Sequence, residues 1–388
     1  MAELVLYSST FLFFIFLTFI VRKIGNKNKK AEETPYNMPH GPRKLPIIGN
    51  MHNLLCSLSH RKLRDLALKY EPLMHLQLGE VSTIVISSLE CAKEVMKTHD
   101  INFATRPKVP SIDVLSYNYT GIAFAPYGNY WRQVRKISML ELLSLKRVNS
   151  YQPIREEDSF NLVKWIDSQN GSPVNLTEAV LSSIFTIVSS SAFSKKCKDH
   201  ENFISVIKKM MKVAAGFDIR DLFPLQHVMR HKLESLHQQA DQIIEKIVNE
   251  HQEEKSQAKD FEAADVVDVL MQYEDGSRQG FSLTRNNIKA TILDIFGAGG
   301  ETSATTIDWT MTEMMKNSGV MKKAQAEVRR VFNKEGRVDE NSLDELKYLK
   351  LVVKETLRLH PSLPLLLPRK CDYTLHFLFL YVLVLGIF

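Results

Sequence analysis

Apolar residues are spaced along this chain in three ways. Over residues 4–21 they run without a break: no charge interrupts them, and only Ser8, Ser9, Thr10 and Thr18 are mildly polar. A helix of that length crosses about 30 Å of hydrocarbon. Over residues 73–86 the pattern is that of short strands, carried by Val81, Ile84, Val85 and Ile86 and joined at Gly79-Glu80. Elsewhere a helical period dominates. It predicts helices over 59–69, 130–143, 174–192, 203–213, 230–251 and 283–315. A further helix opens at Ser342-Leu343-Asp344-Glu345, a capping-box pattern, and runs to Pro361. No repeat of solenoid length is present. The expected architecture is mainly α with a small β portion near its N-terminal end.

The flanks of the first apolar run set its direction. Arg22, Lys23, Lys27, Lys29 and Lys30 follow it, and only Glu3 is charged before it. A cleaved signal peptide carries its charge before the run. The positive-inside rule therefore predicts a retained single-pass anchor with the rest of the chain in the cytosol. Asn118-Tyr119-Thr120 and Asn175-Leu176-Thr177, both glycosylation sequons by pattern, then face away from the lumen. Prolines 35, 39, 42 and 46 keep the next stretch out of helix and central strand, which predicts a stiff linker over 31–50. The 50 basic residues are interspersed with 44 acidic ones, a balance too mild to point to nucleic acid. Cys56, Cys91, Cys197 and Cys371 lie far apart with no CxxC pair, which excludes a disulfide framework and a structural zinc.

Three segments carry candidate chemistry. Asp294-Ile295-Phe296-Gly297-Ala298-Gly299-Gly300-Glu301-Thr302 places three glycines inside a predicted helix, each costing about 1 kcal/mol relative to alanine. Such a conflict marks either a site where a flat group lies against bare backbone, with Glu301 and Thr302 as proton carriers, or a close helix crossing. The missing Lys-Ser/Thr excludes a phosphate loop. Glu355 and Arg358 are three apart on one helix face, which by itself reads as a surface ion pair. Trp131 and Arg135 are four apart with Arg132 beside them, either an acid-binding face or a solvated basic one around a buried indole.

In this order, from the anchor to about Cys371, the segments resemble a plant microsomal cytochrome P450. The closest wording is that of the terpenoid- and alkaloid-oxidising group, which includes the premnaspirodiene oxygenases. The proline-rich linker is similar to that family's hinge, Trp131-Arg132-Gln133-Val134-Arg135-Lys136 to its C-helix motif, Ala298-Gly299-Gly300-Glu301-Thr302 to its oxygen-binding motif, and Glu355-Thr356-Leu357-Arg358 to its K-helix motif. The resemblance implies a cytochrome P450 fold and a monooxygenase that uses haem b and NADPH electrons delivered by NADPH-cytochrome P450 reductase. It implies an endoplasmic-reticulum membrane location and a small hydrophobic substrate. Trp131, Arg132 and Arg135 would bind the haem propionates. Ala298, Gly299 and Gly300 would leave room for oxygen and substrate, and Glu301 and Thr302 would supply protons. Glu355 and Arg358 would be two thirds of a buried ion-pair triad. Residues 108–124, 203–223, the front half of the glycine-bearing helix and 363–367 would wall the substrate. The basic face around Arg132, Arg135 and Lys136 would suit an acidic reductase.

The chain departs from the family after Arg369-Lys370-Cys371. No Phe-x-x-Gly-x-Arg-x-Cys-x-Gly loop follows, and Cys371 lacks the glycines and arginine of that loop. The expected organisation is an anchor and basic flank over 1–30, a hinge over 31–50, a partial catalytic domain over 51–371, incomplete at its C-terminus, and an exposed, charge-poor tail over 372–388. As written, the chain is expected to be inactive, since thiolate ligation drives O–O cleavage in this family. Two readings follow: a monooxygenase of plant secondary metabolism seen through an incomplete transcript, or a membrane-anchored fragment without catalysis.

Overall fold

A single long helix organises the molecule. The computed structural model describes Phe11, Ile15, Thr18 and residues 38–388, apart from 55–57, 194–199, 215–218, 224–229, 258–264, 275–280, 333–338, 372–379 and 385–388. The chain divides into two units, Met1–Pro39 and His40–Phe388. In the first, Phe11, Ile15 and Thr18 are helical; otherwise the expected anchor and its basic flank lie outside the described residues.

In chain order the second unit contains α1 (Ser59–Tyr70), β1 (Leu73–Leu78), β2 (Val81–Ile86), α2 (Pro110–Leu115), α3 (Asn129–Ile137), α4 (Gln152–Ser168), α5 (Leu176–Phe193) and α6 (His200–Ala214). It continues with α7 (Arg230–Gln257), α8 (Val266–Met271), α9 (Arg285–Lys316), α10 (Ser318–Phe332), α11 (Lys347–Leu359), β3 (Arg369–Lys370) and β4 (Leu380–Val384). The expected mainly α architecture is found. α9 starts where Thr284 and Asn287 cap each other, the Asn287 amide donating to the Thr284 hydroxyl and the Thr284 amide to the Asn287 side chain. Its first half is buried from Asn287 to Leu293. Phe296 then enters an aromatic cluster with Phe185 and Phe193 of α5 and Phe203 of α6, at ring-centroid distances of 5.3, 5.8 and 4.6 Å. α7 adds a stripe at helical spacing: Leu233, Leu236, Ala240, Ile243, Ile244, Ile247 and Val248 are all buried. α5 is long and apolar enough to cross a membrane by composition, and here its buried face packs on α9.

α8 is tied to α7 by an ion pair. His251 donates from Nδ1 to the Ile247 carbonyl and from Nε2 to Asp265 Oδ2, each at 2.8 Å, and Asp265 caps α8. Burial works against charge on this imidazole, but the Asp265 carboxylate outweighs it and carries the pKa up to about 9.

The small sheet has the order β1-β2-β4-β3. β1 and β2 form the expected hairpin, turning at Gly79 with φ of +59°. A Cβ there would lie 2.4 Å from the Leu222 carbonyl oxygen, so the turn accepts only glycine. β4 corrects the expectation of an exposed tail: it pairs in parallel with β2 and antiparallel with β3, with Val382, Leu383 and Val384 buried. Valine and leucine without flanking charge suit a strand with neighbours on both sides. The capping box at Ser342 is also corrected. Residues Glu340–Glu345 form a 3-10 turn, and α11 begins after Leu346 with no side-chain cap of its own. Glu327 on α10 supplies it instead, accepting the Tyr348 and Leu349 amides at 2.9 Å each.

Candidate active site

A cavity of about 490 Å³ opens between the sheet and three further segments. Val109, Ile112 and Phe124 form one wall, Asp221 and Leu222 a second, and Leu363 to Pro368 a third; Leu78, Val81 and Leu383 close it from the sheet. Three of the four segments expected to wall a substrate therefore meet here, while the glycine-bearing segment of α9 does not line the cavity. The first two walls are joined by Asp221, which accepts the Ser111 amide at 2.9 Å and hydroxyl at 2.7 Å. An apolar chamber of this size with few polar groups suits a small hydrophobic ligand.

Ser362, at the edge of the third wall, links the chamber to α9. Its hydroxyl lies 3.0 Å from both the Thr302 carbonyl and the Thr306 hydroxyl. Just before it, the His360 ring stacks on Trp309, with centroids 3.9 Å apart and planes 5° apart, and its Nε2 lies 3.0 Å from Glu313. α9 therefore reaches the edge of the chamber through the Thr302 carbonyl and the Thr306 hydroxyl.

The glycines of α9 divide. A Cβ at Gly300 would lie 2.3 Å from the Phe185 ring, so Gly300 is required by the packing of α5. At Gly299 the nearest atom, on Val188, would be 3.5 Å away, an ordinary contact. Ala298 and Thr302 are exposed on the opposite face, and the Thr302 hydroxyl donates to the Ala298 carbonyl at 2.7 Å. Glu301 Oε2 is buried without a partner. The helix-crossing explanation thus accounts for Gly300, and the bare-backbone explanation remains for Ala298.

On α3, the Trp131 indole donates to the Ile122 carbonyl at 3.0 Å, so its N–H is already committed. Arg135 lies over the Trp131 ring at 5.2 Å, and Arg132 over Tyr127 at 5.7 Å. Both guanidinium groups are exposed, as is Lys136, and they form a basic face on which Arg132 also donates to Asn129 Oδ1. Glu355 and Arg358 pair in bidentate fashion at 2.8 and 2.5 Å, but both side chains are 55% exposed. Among the described residues no third element covers the pair. The hydrogen bond from Arg358 holds the Glu355 carboxyl below the usual range.

Two residues near the chamber escape sequence reasoning. Asp294 on α9 accepts the Ala123 amide at 3.0 Å and faces that of Ile122; burial pushes its carboxyl up to about 6 against these two donors. Arg106 donates to the Ala123 carbonyl at 3.1 Å and to the Pro368 carbonyl at 3.2 Å, and burial lowers its pKa to about 10. The one signal available for Asp294 was a lone carboxylate in an apolar run.

The donor set can be tested against haem. Arg132 and Arg135 are exposed donors of the kind that pair with carboxylates, and Ala298 offers little side chain on α9, so the chemistry of these residues suits haem. The described cysteines, Cys91 and Cys371, form no disulfide and lie outside any glycine-arginine loop.

Comparison with known proteins agrees with this geometry. Residues 39–378 match the family model described as cytochrome P450. The chain is 54% identical to cytochrome P450 71D11 of Lotus japonicus over 90% of its own length and 73% of that protein. It is 47% identical to premnaspirodiene oxygenase of Hyoscyamus muticus, covering 94% and 73% of the two chains. With tabersonine 16-hydroxylase 1 of Catharanthus roseus the identity is 46%, over 94% and 74%. Among solved structures, a zebra fish cytochrome P450 with progesterone shares the fold at a TM-score of 0.72 and 23% identity, over 85% of this chain and 78% of that one. The chain belongs to the cytochrome P450 family.

Proposed function

We propose that this chain is built to hold a terpenoid- or alkaloid-like small molecule beside haem, in a monooxygenase of plant secondary metabolism that draws NADPH electrons through a reductase. The observation that carries this reading is the apolar chamber joined to α9 through Ser362 and Thr302. The names of the relatives, an oxygenase and a hydroxylase, support the reaction class. Haem b, when bound, supplies oxygen activation. Arg132 and Arg135 would hold its propionates; Trp131, with its N–H on Ile122, would hold the loop beside them. Ala298 would keep α9 flat, with Gly299 and Gly300 setting how closely α9 meets α5. Thr302 would move a proton at Oγ1 after turning from the Ala298 carbonyl, and the unpartnered Glu301 Oε2 would hold the next one. Arg132, Arg135 and Lys136 would dock the acidic reductase. Residues 4–21 would anchor the chain at the endoplasmic reticulum with the body in the cytosol, and residues 31–50 would act as its hinge.

A second reading is favoured by one observation: the 388 residues include no cysteine in a Phe-x-x-Gly-x-Arg-x-Cys-x-Gly setting. On this reading these residues alone form an anchored fragment without catalysis. One experiment separates the two. The chain as given is expected to show no carbon monoxide spectrum of thiolate-ligated haem when reduced. A chimera carrying a relative's C-terminal segment after Arg369 is expected to show it and to oxidise a hydrophobic substrate. The spectrum from the unmodified chain would overturn the second reading, and a chimera that loads haem but never takes up a terpenoid or alkaloid would overturn the first.

A further inference from the structure

Thr83 lies within β2 and lines the chamber together with Leu78, Val81 and Leu383. It is 1% exposed, and among the described residues its hydroxyl has no hydrogen-bond partner. The strand explains why. β2 is paired with β1 on one side and with β4 on the other, so the nearby backbone carbonyls are committed to the ladders. Buried threonines in helices have another outlet: Thr291 and Thr356 each donate to the carbonyl four residues back, at 2.8 and 3.0 Å. Ser82, one residue earlier and therefore on the opposite face of the sheet, meets His75 Nε2 at 2.8 Å. Two other polar residues of the chamber are already engaged, Asp221 by Ser111 and Ser362 by α9. Ser59 and His60, at the start of α1, are half-buried and can be met by water. A fully buried hydroxyl keeps its desolvation cost until something bonds to it, and the chamber around Thr83 is otherwise apolar. What enters the chamber can supply that bond. A carbonyl oxygen accepts the Thr83 proton, and a hydroxyl either accepts or donates, whereas a bare hydrocarbon leaves the cost in place.

We propose that Thr83 is a specificity-determining residue, and that the chamber takes a small terpenoid- or alkaloid-like molecule already bearing a hydroxyl or carbonyl oxygen, to which the Thr83 hydroxyl bonds. The inference rests on the chamber being the substrate site. It also gives the reaction a place in a sequence. The step that supplies the substrate is one that introduces oxygen, and the oxidation proposed above follows it.

The test uses the full chain and two probes of one skeleton, a bicyclic monoterpene hydrocarbon and its alcohol, each measured by displacement of an apolar fluorophore. Probes this small can turn in a chamber of about 490 Å³, so the position of the hydroxyl on the skeleton does not decide the result. Thr83→Val keeps the branched shape and removes only the hydroxyl. It is expected to weaken the alcohol about tenfold relative to the hydrocarbon, the loss corresponding to one hydrogen bond. Thr83→Ser keeps the hydroxyl and should keep the wild-type ratio. Without ligand, Thr83→Val should melt no lower than the wild type, because the hydroxyl it removes is unpaired. An unmoved ratio in Thr83→Val, or a serine variant that follows the valine one, would overturn the proposal. So would a clear drop in the melting temperature of ligand-free Thr83→Val, which would show the hydroxyl to be bonded within the protein. If the wild type takes up neither probe, the chamber reading itself falls and this inference with it. Uptake of both by the wild type with an unmoved ratio in the valine variant removes only the inference.

Discussion

The two halves of α9 are one helix in two environments. From Asn287 to Phe296 the helix is enclosed by α5, α6, α7 and α8, and nearly every side chain is buried. Beyond Gly297 it presents Ala298, Thr302, Ser303, Ile307 and Met315 outward. A groove of about 710 Å³ lined by Met311, Met314, Met321 and Leu357 runs between it, α10 and α11. The difference teaches that the fold's core packing and its exposed hydroxyl-bearing face are held by different stretches of one element. The closed half anchors; the open half offers backbone, hydroxyls and apolar surface.

The sharpest way to break that comparison is truncation on both halves. Phe296→Ala should cost about 3 to 5 kcal/mol, because it empties the centre of the aromatic cluster. Ile307→Ala on the open face should stay within about 0.5 kcal/mol. Denaturant melts of the two variants decide it, and equal losses would erase the distinction.

Next in size is the His251–Asp265 pair that closes α8 against α7. Its imidazole binds a proton more tightly folded than unfolded, so its contribution is complete below about pH 6.5 and is lost as pH rises through about 9. The displacement from 6.5 corresponds to about 3 kcal/mol. The stability gap between the wild type and His251→Gln should therefore narrow on the alkaline side. A gap that is constant from pH 6 to 10 would show the pair to be uncharged.

A smaller contrast lies at the junction of the halves. Gly300→Ala should destabilise by about 1 to 3 kcal/mol by pressing on Phe185. Gly299→Ala meets only ordinary contacts and should be neutral or gain up to about 1 kcal/mol from helix propensity. Thermal melts that rank the two the other way would place the close crossing elsewhere. Least of all, Glu355→Gln should leave the melting temperature unmoved within error, since the exposed pair is surrounded by water. A clear drop would mean that the pair is covered in solution.

Much of this was legible in the sequence. Period placed most of the long helices to within about six residues but missed α4 and α10, and Gly79-Glu80 announced the hairpin, because local pattern determines local structure. The motifs at Trp131, Ala298 and Glu355 carried the family, yet not the partners of each side chain. Gly300 and Gly299 look alike in sequence and differ only through Phe185 and Val188 on another helix. The cap of α11 comes from Glu327 across a helix junction, which no local box can foretell. Asp294 and Arg106 meet at Ala123 from positions far apart in the chain, so their convergence appears only in three dimensions.

The parallel pairing of β4 with β2 has one further consequence. Along β4, Val382 and Val384 turn toward Ile84 and Ile86, while Leu383 between them turns to the chamber. Strand side chains alternate, so a slip of one residue would exchange these assignments. Whatever five-residue sequence lies along Ser82 to Ile86 writes its own side chain into the chamber wall. The volume offered to a ligand could thus be reset by strand exchange at the sheet, with every helix left in place.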